Sequence, residues 1–506
     1  MAQLNPQPKK ITEEFFPDPE LQINTPAFQK KKGFTDYEEM MTYLNDLQNK
    51  HADLMSISFI GESQKGKKIP MVKLAKQGVK DPVRVWLMGG LHGNEPGGTE
   101  SLFFLIENLL EDETHAHLLD RLSLAIVPMA NIDGYERHMR DAVNGLDLNR
   151  DQTKFSNPES IALKEAFNAF NPEVALDLHE YNAFRKHYSK LGTFGITTPY
   201  DAMFLYTGNL NVPENMRKFT DEVFVEKARR SLNQHYLRHH PYFSTTEHLG
   251  EIQLRQGATS PRSSATSFAL TNCVSTLVEV RGVKLGRSSF KRRVYSAYLV
   301  SRSFLQTAYE EEEQLRAQIA RANLNRDEAV IESKRAVYED TIDVLDLDSR
   351  EIIPFAIKVR DGLQLTATKK RVRPFAYVIP QGEEAILKRL RILGLELHEL
   401  NATLSVDLDA YEVTEYQQDA EKFEDIKIQN VKCEMRNVKA TLASGDFILL
   451  MDQQRANLAI ELLEPEAKNG FVAYEVVPTE MGASLPYYRC TQTDAFESIK
   501  KMINHD

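Results

Sequence analysis

From residue 35 to about residue 310, the apolar positions follow two alternating spacings. Helical spacing occurs in DYEEMMTYLNDLQNK, TESLFFLIENLLED and PESIALKEAFNAFN, because apolar residues three and four positions apart lie on one face of a helix. Continuous apolar runs in VRVWLM, RLSLAIVPM, EVALDLHEY and VSTLVEVRG predict buried strands. Strands separated by helices favour parallel pairing with both faces of the sheet covered. The pattern predicts an α/β fold with a mixed, mostly parallel sheet and helices on both faces.

The pattern changes after residue 310. The charge-rich stretch EEEEQLRAQIARANLNRDEAVIESKRAVYED predicts a linking helix over residues 311–340. Short alternating runs such as IIPFAIKVR, PFAYVIP and FVAYEVV then predict strands, with one helix at EEAILKRLRILG. Because 506 residues exceed what one core usually fills, we predict an N-terminal extension at 1–34, an α/β domain at 35–310, this helix, and a mainly β C-terminal domain at 341–506.

Composition narrows the classes of partner. The formal net charge is −11, which argues against nucleic acid or an anionic membrane surface as the main partner, since both attract basic proteins. No apolar stretch is long enough to cross a bilayer. The three cysteines lie far apart without a CxxC pair, so neither a disulfide framework nor a thiolate zinc site is indicated. The oligomeric state stays open.

The N-terminus permits two interpretations of location. The start MAQLNPQPKKITEEFF lacks the apolar segment of a signal peptide. A polar start beginning Ala2-Gln3 would also remain after a signal peptide had been removed and a starting methionine restored. We expect an extracytoplasmic protein, periplasmic or secreted, while a cytoplasmic location stays open.

The first candidate chemistry lies in GGLHGNEPGG, directly after the run VRVWLM. Glycines end the strand and allow a tight, non-helical loop. Within this loop, His92 and Glu95 provide an imidazole nitrogen and a carboxylate, which suit a first-row divalent ion. Taken alone, this short motif also allows His92 to cap a turn and Glu95 to face solvent.

Two further strands end in residues of the same chemistry. His179 ends the run LDLHEY and would complete a His, Glu and His set, which is typical of catalytic zinc sites that keep a fourth position open. Glu279 interrupts the apolar run STLVEV, where burial of an unpaired carboxylate is costly. It either forms an ion pair with Arg281 or faces a metal-activated water as a general base. Ligands of such sheets bind beyond the carboxyl ends of the strands.

The loop NIDGYERHMRDAVNGLDLNRD follows a fourth predicted strand and carries Arg137, Arg140, Asp147, Asn149 and Arg150. A basic loop by itself is usually a solvated surface. Arginines interleaved with asparagines beside a metal also suit recognition of a carboxylate.

Together these motifs carry a family resemblance. HGNE, NIDGYER leading to GLDLNRD, LDLHEY and LVEVRG, in this order, resemble the zinc carboxypeptidase (funnelin metallocarboxypeptidase) family over residues 35 to 300. The layout is similar to that of bacterial members with a C-terminal β-rich extension. The resemblance implies a carboxypeptidase-like fold, one zinc ion per chain, a peptide substrate, and hydrolysis of a peptide bond that removes a C-terminal residue.

The resemblance also implies roles at the metal. His92, Glu95 and His179 match the zinc ligands, and Asp147 matches the acid behind the first zinc histidine. Glu279 matches the general base, which takes a proton from the attacking water and returns it to the leaving amine.

For the substrate, the resemblance assigns Arg140 to the scissile carbonyl, and Asn149 with Arg150 to the terminal carboxylate. The loop GATSPRSSATSFALTNC lacks the substrate-capping tyrosine of pancreatic members, so the resemblance supports hydrolysis more firmly than recognition of a free C-terminus. The same loop offers Arg262, which either reaches an acidic group of the substrate or lies in solvent. Tyr181 either lines the substrate cleft or packs beneath it.

Two alternatives belong to other functional classes. A zinc amidohydrolase acting on a small acylated amino acid or a cell-wall peptide would use a similar metal motif, although the DLNR segment favours peptides. A binding protein without metal would have kept the fold, but the complete set of ligands, base and arginines speaks against it.

Overall fold

The computed structural model describes residues 7–503. The Ala2-Gln3 start lies outside the described residues, so the extracytoplasmic location stays a prediction. No helix of the described residues is long and apolar enough to span a membrane. The α-helices are α1 (Lys9–Phe15), α2 (Tyr37–Lys50), α3 (Pro96–Glu111), α4 (Glu113–Ala116), α5 (Ile132–Glu136), α6 (Pro158–Phe170), α7 (Glu214–Phe219), α8 (Glu226–Gln234), α9 (Ser264–Ala269), α10 (Phe290–Glu310), α11 (Glu312–Asn323), α12 (Glu384–Ile392), α13 (Ala456–Leu463) and α14 (Thr493–Lys500).

The strands of the described residues form three sheets. In chain order they are β1 (Met55–Glu62), β2 (Lys68–Leu74), β3 (Val83–Gly89), β4 (Leu122–Val127), β5 (Val174–Tyr181), β6 (Ile196–Thr197), β7 (Ala202–Leu205), β8 (His239–Pro241), β9 (Phe243–His248), β10 (Glu251–Gln256), β11 (Val274–Arg281), β12 (Ala329–Asp346), β13 (Ile352–Arg371), β14 (Ala376–Ile379), β15 (His398–Glu399), β16 (Leu404–Gln418), β17 (Gln429–Leu442), β18 (Phe447–Leu450) and β19 (Ser484–Cys490).

The first sheet has the order β1-β2-β4-β3-β5-β11-β7-β8. Its centre, β4-β3-β5-β11, is parallel, and antiparallel strands lie on both sides of this centre. Trp86 of β3 contacts Phe167 of α6, whereas Gly89 of the same strand lies against α3. Residues an odd number apart on a strand face opposite sides, so α3 and α6 cover opposite faces. The predicted mixed, mostly parallel sheet with helices on both faces is confirmed.

The second sheet joins the two predicted parts of the chain. Its order is β6-β12-β13-β10-β9, and β10 pairs in parallel with β13 through Leu254 and Val359. The short strands before residue 260 therefore share one sheet with the long strands after residue 328. The predicted domain boundaries at residues 310 and 340 stay a prediction. The second sheet contains strands from both sides of these boundaries, so it does not show where one folding unit ends and the next begins.

The third sheet, β15-β18-β14-β19-β16-β17, confirms the β-rich C-terminal part, with three corrections to the predicted elements. The linking helix over 311–340 is wrong beyond Asn323, because β12 begins at Ala329 and pairs along its length with β13. The strand predicted at FVAYEVV is a series of turns. Helix α13 was not predicted, since all its residues are buried and a short apolar run does not distinguish a helix from a strand.

A buried charge cluster fixes the C-terminal part. Arg371 donates to Glu464 at 2.8 Å and to Glu466 at 2.6 and 2.8 Å, and Lys369 donates to Glu466 at 2.8 Å. Burial raises the pKa of a carboxyl, but Arg371 and Lys369 outweigh burial and lower the pKa of Glu466 to about 2. The folded chain therefore resists protonation at this carboxylate, and the stabilisation is lost as the pH falls from 4.5 toward 2.

We expect Glu466→Gln to destabilise the fold by about 3 kcal/mol at pH 7, because it leaves Arg371 buried without its full charge partner. The loss should shrink as the pH falls below 4.5, where the parent begins to lose the same charge. Thermal unfolding midpoints at pH 7 and pH 3 check this. Glu415→Gln, which removes an exposed partner of Lys432, is the matched control and should change little. An equal loss at both pH values for Glu466→Gln would contradict the expectation.

Candidate metal centre

The loop after β3 brings His92 and Glu95 together. Gly90 adopts a φ of +63°, and a Cβ at Gly93 would lie 2.0 Å from the backbone of Gly134, so larger side chains fit neither position. Helix α3 begins at Pro96 immediately afterwards, and proline suits the first helical position. His92 Nδ1 lies 2.9 Å from Glu95 Oε1. Glu95 is 1% exposed, so the alternative that it faces solvent is wrong.

The end of β5 adds the third side chain. His179 Nδ1 lies 2.8 Å from Glu95 Oε2 and 2.9 Å from His92 Nδ1. Two ring nitrogens and a carboxylate thus converge on one buried point. Two facing nitrogens can share at most one proton, whereas a cation accepts electron pairs from all three groups. The set of His, Glu and His therefore fits a zinc ion with a fourth position left open.

Carboxylates lie behind both histidines. His92 Nε2 is 3.1 Å from Asp147 Oδ1, and His179 Nε2 is 2.8 Å from Asp177 Oδ2. Such contacts fix the ring orientation and leave the other nitrogen for a metal. Asp177 was not predicted from the sequence, although LDLHEY places it two residues before His179 on the same face of the strand. Ser264 donates to the same oxygen at 2.6 Å, which orients this carboxylate.

Glu279 lies beside the three potential ligands. It pairs in register with His179 across the parallel strands β11 and β5. Its carboxylate forms no hydrogen bond or ion pair with another described residue, while Arg281 donates to Thr197 and Thr198; the alternative of a Glu279–Arg281 ion pair is therefore wrong. Burial, followed by the negative charge of Glu95, raises the pKa of Glu279. The side chain is thus a buried carboxylate free to accept a proton.

Arg140 lies at the edge of this group. Its guanidinium donates to Glu95 at 3.3 Å and to Asp147 at 3.0 Å. Burial works against its charge, but Asp147 and Glu95 raise the pKa of Arg140. The arginine therefore keeps its charge beside the three converging side chains.

Asn149 and Arg150 lie in a short 3-10 turn, residues Leu148–Arg150. The side-chain oxygen of Asn149 accepts from Ser264 N at 2.8 Å, which leaves its amide N–H groups for another partner. Arg150 donates to the carbonyl of Asn149 at 2.7 Å and forms no ion pair with a described residue. Both side chains thus present donors rather than acceptors.

Two predicted substrate contacts are corrected. Tyr181 is 2% exposed, and its hydroxyl hydrogen-bonds to the carbonyl of Tyr200, so it packs beneath the site instead of lining it. Arg262 is 3% exposed, so the solvent alternative is wrong. Its guanidinium pairs with Glu424, and its Nε donates to the carbonyl of Arg150 at 3.0 Å. Arg262 therefore holds the backbone of Arg150 in place, and its own positive charge is balanced by Glu424.

Two residues near Glu279 were missed in the sequence. Arg185 lies on the loop after β5, and its Nη1 is buried without a hydrogen-bond partner among residues 7–503. Its Nη2 lies 3.4 Å from the hydroxyl of Tyr242. Burial works against the charge of Arg185, but Tyr242, Tyr188 and Glu279 raise its pKa. Burial, followed by the charge of Glu279, raises the pKa of Tyr242, so both residues lie close enough to Glu279 to be affected by its charge. No local motif marks either residue, because each depends on a loop conformation.

Comparison with known proteins decides the family. Residues 40–285 match the sequence model described as zinc carboxypeptidase. Carboxypeptidase 2 of Trichophyton equinum is 29% identical over 440 residues, which cover 85% of this chain and 81% of that protein. Residues 40–285 therefore form a zinc carboxypeptidase domain. The protein is accordingly a zinc-dependent metallocarboxypeptidase that hydrolyses peptide bonds.

Further relatives of this zinc carboxypeptidase are more partial or more distant. Probable carboxypeptidase 2 of Arthroderma benhamiae is 28% identical over 424 residues, 81% of this chain and 79% of the relative. The crystal structure of carboxypeptidase A from Helicoverpa armigera covers 60% of this chain and 81% of its own, with a TM-score of 0.43 and 17% identity. The match to the Trichophyton equinum protein covers 85% of this chain, which is more than residues 1–340 could supply. The match therefore extends into the C-terminal region.

We expect Asp177→Asn to lower zinc affinity by about 10- to 100-fold, because an amide holds the ring of His179 less firmly in the metal-binding orientation. Zinc content at limiting free zinc, measured by competition with a chelator, checks this. Asp343→Asn changes an exposed aspartate of β12 and is the control. Unchanged affinity in Asp177→Asn would show that this carboxylate does not support a ligand.

Proposed function

We propose that the protein removes the C-terminal residue of peptides, with His92, Glu95 and His179 holding the zinc ion and Glu279 acting as general base. The observation that supports this most is the register of β11 on β5, which places an unpaired buried carboxylate beside His179. A structural glutamate at that position would need a partner to offset the cost of burial.

Peptide-bond hydrolysis at this site would depend on the bound zinc ion and on Glu279. When bound, zinc polarises the substrate carbonyl and lowers the pKa of water to about 7. Glu279 accepts a proton from the attacking water and donates it to the leaving amine. The carboxylate returns to its ionised form at the end of the cycle, so no other proton acceptor is required.

Arg140 stabilises the negative charge that develops on the carbonyl oxygen. Asp147 and Glu95 hold two of its N–H groups, which fixes the guanidinium before substrate binds and leaves further donors free. A donor that is already oriented contributes more to the transition state than one that must reorganise.

Asn149 and Arg150 bind the terminal carboxylate. Neither side chain forms an ion pair or a hydrogen bond with a carboxylate in the part of the chain that the structure describes, and Arg262 fixes the backbone of Arg150. A guanidinium binds a carboxylate through two parallel hydrogen bonds. Binding at this position holds the last peptide bond of the substrate in place for reaction.

We expect Glu279→Gln to lower kcat by at least about 100-fold, because glutamine keeps the shape but cannot accept the proton of water. Inhibitor binding and zinc content should stay close to those of the parent. Steady-state rates with a peptide substrate, together with equilibrium binding of a product analogue, separate these effects. Parent-like turnover in this variant would remove Glu279 from the reaction.

We expect Arg150→Ala to raise KM for peptides with a free C-terminus, because the terminal carboxylate loses its cationic partner. Paired substrates that differ only in a free or amidated terminus measure this, and the parent should strongly favour the free form. The variant should lose most of that difference. A variant equally impaired on both substrates would show that Arg150 does not recognise a carboxylate.

A further inference from the structure

A cavity of about 340 Å³ lies directly beside Arg150. One wall is the segment 257–263, which continues into Ser264, the residue that contacts Asn149 and Asp177. Tyr242 also lines the cavity, and burial followed by the charge of Glu279 raises the pKa of its phenol. The cavity therefore adjoins the proposed position of the terminal carboxylate.

The lining of this cavity is charged with one sign. It contains Arg150, Arg255, Arg262 and Arg335 but no aspartate or glutamate; we call it the arginine cavity. Of these four arginines, only Arg262 forms an ion pair with a carboxylate among residues 7–503, that of Glu424. The chain as a whole carries a net charge of −11, so the charge of this cavity is opposite in sign to the net charge of the protein.

Besides Arg150, two of these arginines, Arg255 and Arg335, form no ion pair with a carboxylate of the described residues. Arg335 donates to the carbonyls of Gln256 and Gly257 and to the hydroxyl of Thr259, all of which are neutral. The exposed side chain of Arg255 forms no hydrogen bond or ion pair with another described residue. Burial, followed by the charge of Arg255, lowers the pKa of Arg335 to about 10. Two neighbouring cations thus repel each other, and an anion placed between them would relieve that repulsion.

We propose that the arginine cavity receives the side chain of the substrate's C-terminal residue and favours aspartate or glutamate there. This inference rests on the proposed function, because Arg150 must hold the terminal carboxylate for the adjoining side chain to enter the cavity. The volume suits one amino-acid side chain with ordered water. Guanidinium groups recognise a carboxylate in preference to an isosteric amide by charge and by paired hydrogen bonds.

The experiment compares peptides that differ only in the last residue, Glu against Gln, with Leu and Lys as further endings. We expect the zinc-loaded parent to release Glu with a kcat/KM at least about 10-fold higher than that for Gln, because a hydrogen bond to a charged group contributes more binding free energy than one to a neutral group. Arg255→Gln should lower this ratio several-fold, and Arg255→Glu should bring it below one while improving release of Lys. Arg335→Lys, which keeps the charge but loses the planar fork, should lower the ratio less.

Arg321→Gln is the matched control, because it removes the same charge from an exposed position of α11 and should leave the Glu to Gln ratio unchanged. Zinc content and thermal unfolding verify that each variant is folded. Equal release of Glu and Gln by an active parent, or an unchanged ratio in both Arg255 variants, would overturn the inference and leave the proposed function intact. A zinc-loaded parent that releases no C-terminal residue from any peptide would overturn both.

Discussion

The parallel pairing of β5 with β11 is the constraint on which the site depends. It places Glu279 opposite His179, and both lie where the central strands end and the connecting loops begin. The pairing of β3 with β5 brings Gly89 beside Leu178, so the loop that carries His92 and Glu95 starts at the same height. One slip of register would move Glu279 to the other face of the sheet. The backbone pairing of the strands therefore sets the distances between the residues of the metal centre.

Burial makes this arrangement expensive unless its charges are balanced. Glu95 is buried against two histidines, and Asp147 and Asp177 lie behind those histidines. Three carboxylates within one desolvated group repel each other, and the two histidines and Arg140 lie among them to offset that repulsion. A divalent cation at the converging nitrogen and oxygen atoms would take over part of this role, because histidines bind a metal in their neutral form. Metal binding and stability of this part of the fold are therefore coupled.

The sequence predicted what depends on local pattern. Buried strands and their turns are visible as apolar runs ended by glycine, and the three potential ligands stand at those ends. Tyr181 and Arg262 could not be placed, because the residues that hold them, Tyr200 and Glu424, lie 19 and 162 positions away. The residues of β12 were mistaken for a helix for the same reason: their partner is β13, and a charge-rich exposed strand has no apolar period to reveal it.

The distant partner of Arg262 gives the C-terminal region a physical connection to the substrate site. Glu424, on the connection between β16 and β17, pairs with Arg262 and with Lys154 at 2.7 Å. Arg262 in turn donates to the carbonyl of Arg150. Both cations are almost fully buried, and removal of one partner from such a pair leaves an uncompensated charge. The turn that carries Arg150 is thus held by a residue outside the segment 40–285 that matches the zinc carboxypeptidase model. The position of Arg150, the proposed partner of the substrate's terminal carboxylate, therefore depends on a region that contributes none of the proposed metal ligands.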